Sequence, residues 1–181
     1  MNYSKIKYYD IANGPGIRTS LFVSGCNLHC KGCFNREAWD FNSGDPFTIE
    51  VQTKVIESLR SDYISGLTVL GGEPFEPRNQ TALFSFFKKV RSLTSSCKSI
   101  WVFSGHTWNE LTLPSTYNVP SLTSDMLNLV DVLVDGPFIQ SKYDISLRFK
   151  GSSNQRIIDV RKSLINNKVV LWQDKDIYNF H

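Results

Sequence analysis

Four short apolar runs, each closing on a small-residue or glycine turn, set the strongest limit on how this chain folds. They are 17–25 (IRTSLFVSG), 66–70 before Gly71-Gly72-Glu73-Pro74, 99–103 (SIWVF) before Ser104-Gly105, and 131–134 before Asp135-Gly136-Pro137. Between them lie helical patterns. Residues 48–60 follow Pro46 and carry Ile49, Val55, Ile56 and Leu59; residues 79–93 carry Leu83, Phe86, Phe87 and Val90 on one face. Residues 108–113, stopped near Pro114, and 122–130 read as two shorter helices. Strands alternating with helices predict βαβ units, a mostly parallel sheet and an α/β fold. In such folds ligands bind at the carboxyl ends of the strands. The four turns are therefore expected on one rim.

One of those turns holds three thiols: Cys26, Cys30 and Cys33 in CNLHCKGC, a Cys-x3-Cys-x2-Cys spacing. Closed thiolate sites use four ligands, so three close cysteines suggest a metal centre with one position open. The 181 residues make one domain with a core large enough to fold without disulfides. A net charge of +3, with no block of Lys or Arg, argues against nucleic acid as a partner. No apolar run reaches membrane-spanning length, and MNYSKIKYYD is not a signal peptide. The expectation is a cytoplasmic protein, in which clustered thiols bind metal rather than pair. Cys97, far away, reads as an isolated residue. Structural zinc, with His29 or His106 as fourth ligand, competes with a 4Fe–4S cluster, but no second Cys/His pair accompanies the triplet.

The Cys-x3-Cys-x2-Cys string resembles the signature of radical S-adenosylmethionine enzymes, and Gly71-Gly72-Glu73 resembles the Gly-Gly-Glu motif of the same superfamily. Asn13-Gly14-Pro15-Gly16-Ile17-Arg18, LFVSGC, and Cys33-Phe34-Asn35 narrow this to a resemblance to glycyl-radical-enzyme activases. The strand end Val134-Asp135-Gly136 and the string GSSNQR at 151–156 are similar to the branch that serves anaerobic ribonucleoside-triphosphate reductase. The resemblance covers 1–158 and leaves 159–181 as an extension of unassigned role. Phe34, Glu73, Ser104-Gly105-His106 and Lys150 depart from residues common in that branch, and none is a candidate cluster ligand.

The resemblance implies an incomplete, TIM-like (β/α) barrel. Cys26, Cys30 and Cys33 would ligate three irons of a 4Fe–4S cluster, and S-adenosylmethionine would chelate the fourth. An electron donor such as flavodoxin would reduce the cluster, and the 5′-deoxyadenosyl radical formed would take hydrogen from a glycine of the reductase. Gly32, Cys33, Phe34, Gly71, Gly72, Glu73, Ser104 and Asp135 are the implied cofactor contacts, with Phe34 on the adenine, Glu73 near the ammonium group, and Ser104 and Asp135 toward the carboxylate and ribose. Residues 13–18 would frame the partner's glycine loop, with Arg18 as the residue to test. The resemblance allows a homodimer. Activation of a formate-lyase type of glycyl-radical enzyme, and a non-enzymatic zinc or iron–sulfur module, are the alternatives. The C-terminal part offers a polar loop at 151–155, a short strand at 169–172, and a tail at 174–181 without a clear period.

Overall fold

The computed structural model describes residues 1–95, 97–113 and 122–174. Seven strands form one sheet in the order β3-β1-β2-β4-β5-β6-β7. They are β1 (Asn2–Asp10), β2 (Ile17–Val23), β3 (Asp45–Pro46), β4 (Ile64–Gly71), β5 (Ser99–Phe103), β6 (Val132–Asp135) and β7 (Arg156–Asp159). The four central strands, β2, β4, β5 and β6, run parallel as the alternation requires. Both flanks are antiparallel: β1 pairs with β2 and β3 on one side, and β7 with β6 on the other. β1, β3 and β7 were not among the expected strands. The expected strand at 169–172 is a single antiparallel step, Leu171 against Ile158, on the free edge of β7.

The helices are α1 (Ile49–Leu59), α2 (Pro77–Leu93), α3 (Trp108–Thr112), α4 (Leu122–Leu127) and α5 (Val160–Asn166). Thr48 caps α1 through its side chain, and Thr107 and Glu110 form a reciprocal capping box on α3. The fourth helix ends three residues short of the expected 130. The stop near Pro114 and most of the tail, 175–181, lie outside the described residues.

Side chains alternate across the sheet with a period of two. Leu21, Val23, Leu67, Val69, Ile100, Val102 and Leu133 face the helices, where Val55, Leu59, Leu83, Phe86 and Phe87 complete the main core. The opposite face carries Trp101, Val132 and Val134 with Phe103, Phe149, Ile157 and Trp172 in a second, smaller cluster. Among the described residues no helix covers that second face. Loops do, and the space beneath them is the site.

Arg18 lies within this second layer, fully buried. Its guanidinium donates to Thr68 Oγ1 (2.7 Å), Leu67 O (2.8 Å), Ser99 Oγ (3.0 Å) and Ser99 O (3.0 Å), and stands 5.4 Å from the Trp101 ring. Burial pulls its pKa down to about 9. Arg18 therefore rivets β2, β4 and β5 together from inside and is not presented to a partner chain, which corrects the role expected for it.

Candidate functional site

Strand β2 ends at Val23, and the chain then makes the cysteine loop. Gly25 N–H donates to Ala38 O (2.7 Å) and Cys26 N–H to Trp39 O (3.1 Å), so the 3-10 turn Arg36–Trp39 closes the loop's far side. The Gly71-Gly72 turn seals against it: Gly72 N–H donates to Val23 O (2.7 Å) and Glu73 N–H to Gly25 O (2.8 Å). Gly71 has φ +111°, and a Cβ on Gly72 would lie 2.5 Å from Gly25 O. Only glycine allows the two strand ends to meet this closely.

Glu73 ties the next strand into the rim. Its buried carboxylate accepts from Phe75 N–H (2.9 Å), Ser104 Oγ–H (2.9 Å) and Gly105 N–H (2.8 Å). Burial pushes its pKa up, against these donors and the nearby His106. The C-terminal ends of β4 and β5 are thus joined by one side chain. The GSSNQR string does the same for β6. Gln155 Oε1 accepts from Gly151 N–H (2.8 Å), Gln155 Nε2 donates to Gly136 O (3.0 Å), and Asn154 Nδ2 donates to Pro137 O (2.8 Å).

These ends enclose one cavity of about 450 Å³, a size typical of small-molecule sites. Cys26, Cys30, Cys33, Phe34, Gly71, Gly72, Glu73 and Ser104 all line it. The sheet face contributes Phe22, Leu70 and Phe103, and the loops add Asn13, Leu28, Phe138, Phe149, Lys150 and Gln155. Gly32 does not line the cavity; it sits at φ +76° with the Gln140 side chain against it. Asp135 does not line it either. Val132 and Val134 point to the cavity face, so Asp135 falls on the helix side. There it accepts from Trp108 N–H (2.7 Å) and pairs with Arg156. His29 packs on Trp39 at 4.6 Å and is not part of the lining.

The three thiols are half-buried. Burial raises the Cys26 pKa to about 11, and burial with the neighbouring Cys33 raises that of Cys30. Both are protonated at neutral pH, so metal loading must displace protons and weakens in acid. Among the described residues no three His, Cys, Asp or Glu converge on a single-ion position. Three thiols in the lining of an otherwise largely apolar cavity are a soft, sulfur-only donor set, which suits an iron–sulfur cluster better than a hard cation.

The comparisons agree with that chemistry. A family model described as a 4Fe-4S single cluster domain matches residues 12–158. An anaerobic ribonucleoside-triphosphate reductase-activating protein from Pasteurella multocida is 41% identical over 161 residues, covering 87% of this chain and 96% of that protein. Its namesake in Escherichia coli K12 is 37% identical over 163 residues, covering 89% of this chain and all of that protein. One from Enterobacteria phage T4 is 33% identical over 157 residues, covering 87% of this chain and 93% of that protein. The chain belongs to the anaerobic ribonucleoside-triphosphate reductase-activating protein family. As a member of this family it carries a 4Fe-4S domain, and the three cysteines of that domain share their cavity with the Gly71-Gly72-Glu73 turn. No helix among the described residues is long and apolar enough to cross a membrane.

The sequence did not point to Asn13, Leu28, Phe138, Phe149 or Gln155 as cavity residues. GSSNQR was recognised as a string, but its work as a latch between 151–155 and 136–137 emerges only from the hydrogen bonds.

Proposed function

We propose that this protein is a radical S-adenosylmethionine activase that installs a glycyl radical on an anaerobic ribonucleoside-triphosphate reductase. The observation that carries this reading is the shared cavity: three half-buried thiols and a glycine-built turn face one enclosed space. Cys26, Cys30 and Cys33 hold the 4Fe–4S cluster, and the remaining volume takes S-adenosylmethionine. When bound, the pair supplies one-electron cleavage of the sulfonium, giving methionine and a 5′-deoxyadenosyl radical that takes a hydrogen atom from the reductase glycine.

The chain's own residues position and shield. Phe22, Leu28, Leu70, Phe103 and Phe138 exclude water, which would otherwise let side reactions compete. Glu73 has committed its carboxylate to protein donors, so it holds the turn rigid and leaves one lone-pair direction for an ammonium group. Phe34, 73% exposed and 4.9 Å from Phe138, stands at the mouth where the partner's glycine loop must enter. The open seven-stranded sheet serves as the incomplete (β/α) barrel, with 1–158 as the activase domain and 159–181 as an extension, of which the described part, 159–174, lies against it. The reductant is a flavodoxin-type donor, and the setting is cytoplasmic.

The test is anaerobic reconstitution with iron, sulfide and S-adenosylmethionine, then addition of dithionite and candidate partners. A glycyl-radical resonance on the reductase is the expected result. Its appearance only on a formate-lyase type enzyme would reassign the partner, and a colourless zinc protein that leaves S-adenosylmethionine intact would end the reading.

A further inference from the structure

We propose that residues 169–174 brace the aromatic wall of the cofactor cavity from behind, with Trp172 as the positioning residue that sets Phe149 for the nucleoside end of S-adenosylmethionine. This inference rests on the cavity's assignment to that cofactor. The segment is strapped to the sheet: Asp159 N–H donates to Val170 O (2.9 Å), Trp172 N–H donates to Ile157 O (2.9 Å), and Leu171 pairs with Ile158. Its end is tied as well, by the ion pair between Asp174 and Arg148.

Trp172 takes no part in the helix-side core. It packs edge-on to Trp101 at 5.0 Å and to Phe149 at 6.5 Å, within the cluster on the cavity face. Phe149 in turn lines the cavity, yet it sits in the left-handed region at φ +58°. A bulky residue keeps that conformation only where its surroundings enforce it. Three contacts do so: the Trp101 edge at 5.7 Å, Trp172, and the Arg148 guanidinium 4.7 Å over the ring. Two of the three depend on the strap, since Arg148 is held by Asp174.

The cavity has two chemically different ends. The thiols lie on the loop after β2, whereas Phe149, Lys150, Gly151 and Gln155 lie in the loop leading into β7, at the other side of the sheet. The thiol end takes the cluster with the amino-acid part of the cofactor. The aromatic end suits the flat, weakly polar nucleoside, which stacks on an aromatic ring held at a fixed angle.

The experiment measures binding of methionine, 5′-deoxyadenosine and S-adenosylmethionine to the cluster-loaded, full-length protein by calorimetry, with iron content per chain as control. W172A is expected to weaken 5′-deoxyadenosine and S-adenosylmethionine about fivefold, while methionine binding and iron content stay at the wild-type level and W172F recovers most of the loss. D174N, which frees the strap and removes no aromatic ring, should shift nucleoside binding in the same direction; it carries the test should W172A fail to fold. Equal weakening of methionine and nucleoside, or nucleoside binding unchanged in both variants, overturns the brace. A wild-type protein that binds none of the three ligands overturns the proposed function and the brace with it.

Discussion

At the scale of single residues, the site separates side chains that touch the cavity from those that hold its rim. C26A, C30A and C33A should each lose most of the iron retained after anaerobic reconstitution, whereas C97A, at an exposed position away from the cavity, should load fully; iron and sulfide analysis per chain decides this. Glu73 belongs to both groups. E73A would strand three donors, on Phe75, Ser104 and Gly105, and should cost about 2–4 kcal/mol in a denaturant titration, with E73Q falling between it and the wild type. Arg18 holds structure alone. R18A leaves the acceptors on Leu67, Thr68 and Ser99 unpaired around a new void, and a loss of about 2–4 kcal/mol is expected in a denaturant titration. The sequence marked the thiols, because their chemistry is local. It placed Asp135 in the site because a strand end was visible, but the direction of its carboxylate depends on the two-residue parity of β6, where Leu133 and not Val134 shares its face.

At the scale of elements, the parallel strands and their helices were legible because both faces of those strands are covered and their helices have one clear apolar face. β1 was not, since NYSKIKYYD is a flanking strand with one buried residue and little apolar pattern. Yet β1 matters to the site, because its last residue fixes the turn that supplies Asn13. Asp10 accepts from Asn13 Nδ2 (2.6 Å) and Ala12 N–H (3.1 Å). Burial pushes the Asp10 carboxyl up, but the neighbouring Ser20, Asn13 and Ala12 outweigh it and leave the pKa below its usual value. A carboxylate depressed on folding stabilises the native state above its unfolded pKa of about 3.9, and that gain fades as pH falls through the lower folded value. D10N should therefore be less stable than wild type at neutral pH, and the two denaturation midpoints should draw together as pH falls below the unfolded carboxyl value of about 3.9. A gap that stays constant across that range would assign the effect to packing.

At the scale of the whole molecule, one sheet carries two unlike layers: a dense helix-side core and a loop-covered site. Disturbing the first should leave the second's chemistry in place. F87A, deep between α2 and the sheet, should cost about 3–5 kcal/mol in thermal or denaturant unfolding while the folded fraction loads iron normally. The division also explains why the cavity was only half readable. Its thiols and glycine turn sit in short strings, but its aromatic wall is assembled from 101, 149 and 172, whose meeting is a property of the sheet and of no local pattern.

The three thiols sit within eight residues of one another, while the turns that complete their cavity arrive from positions 71–73, 104–105 and 136. A nascent or refolding chain therefore exposes a supple thiol loop before the sheet has spaced it. In that state the loop can wrap one soft cation, although among the described residues of the finished fold no three His, Cys, Asp or Glu converge on one. Refolding in the presence of zinc should trap a misloaded species that resists later iron incorporation, and zinc added after folding should not. The order in which metal and fold arrive thus decides which metal the loop holds.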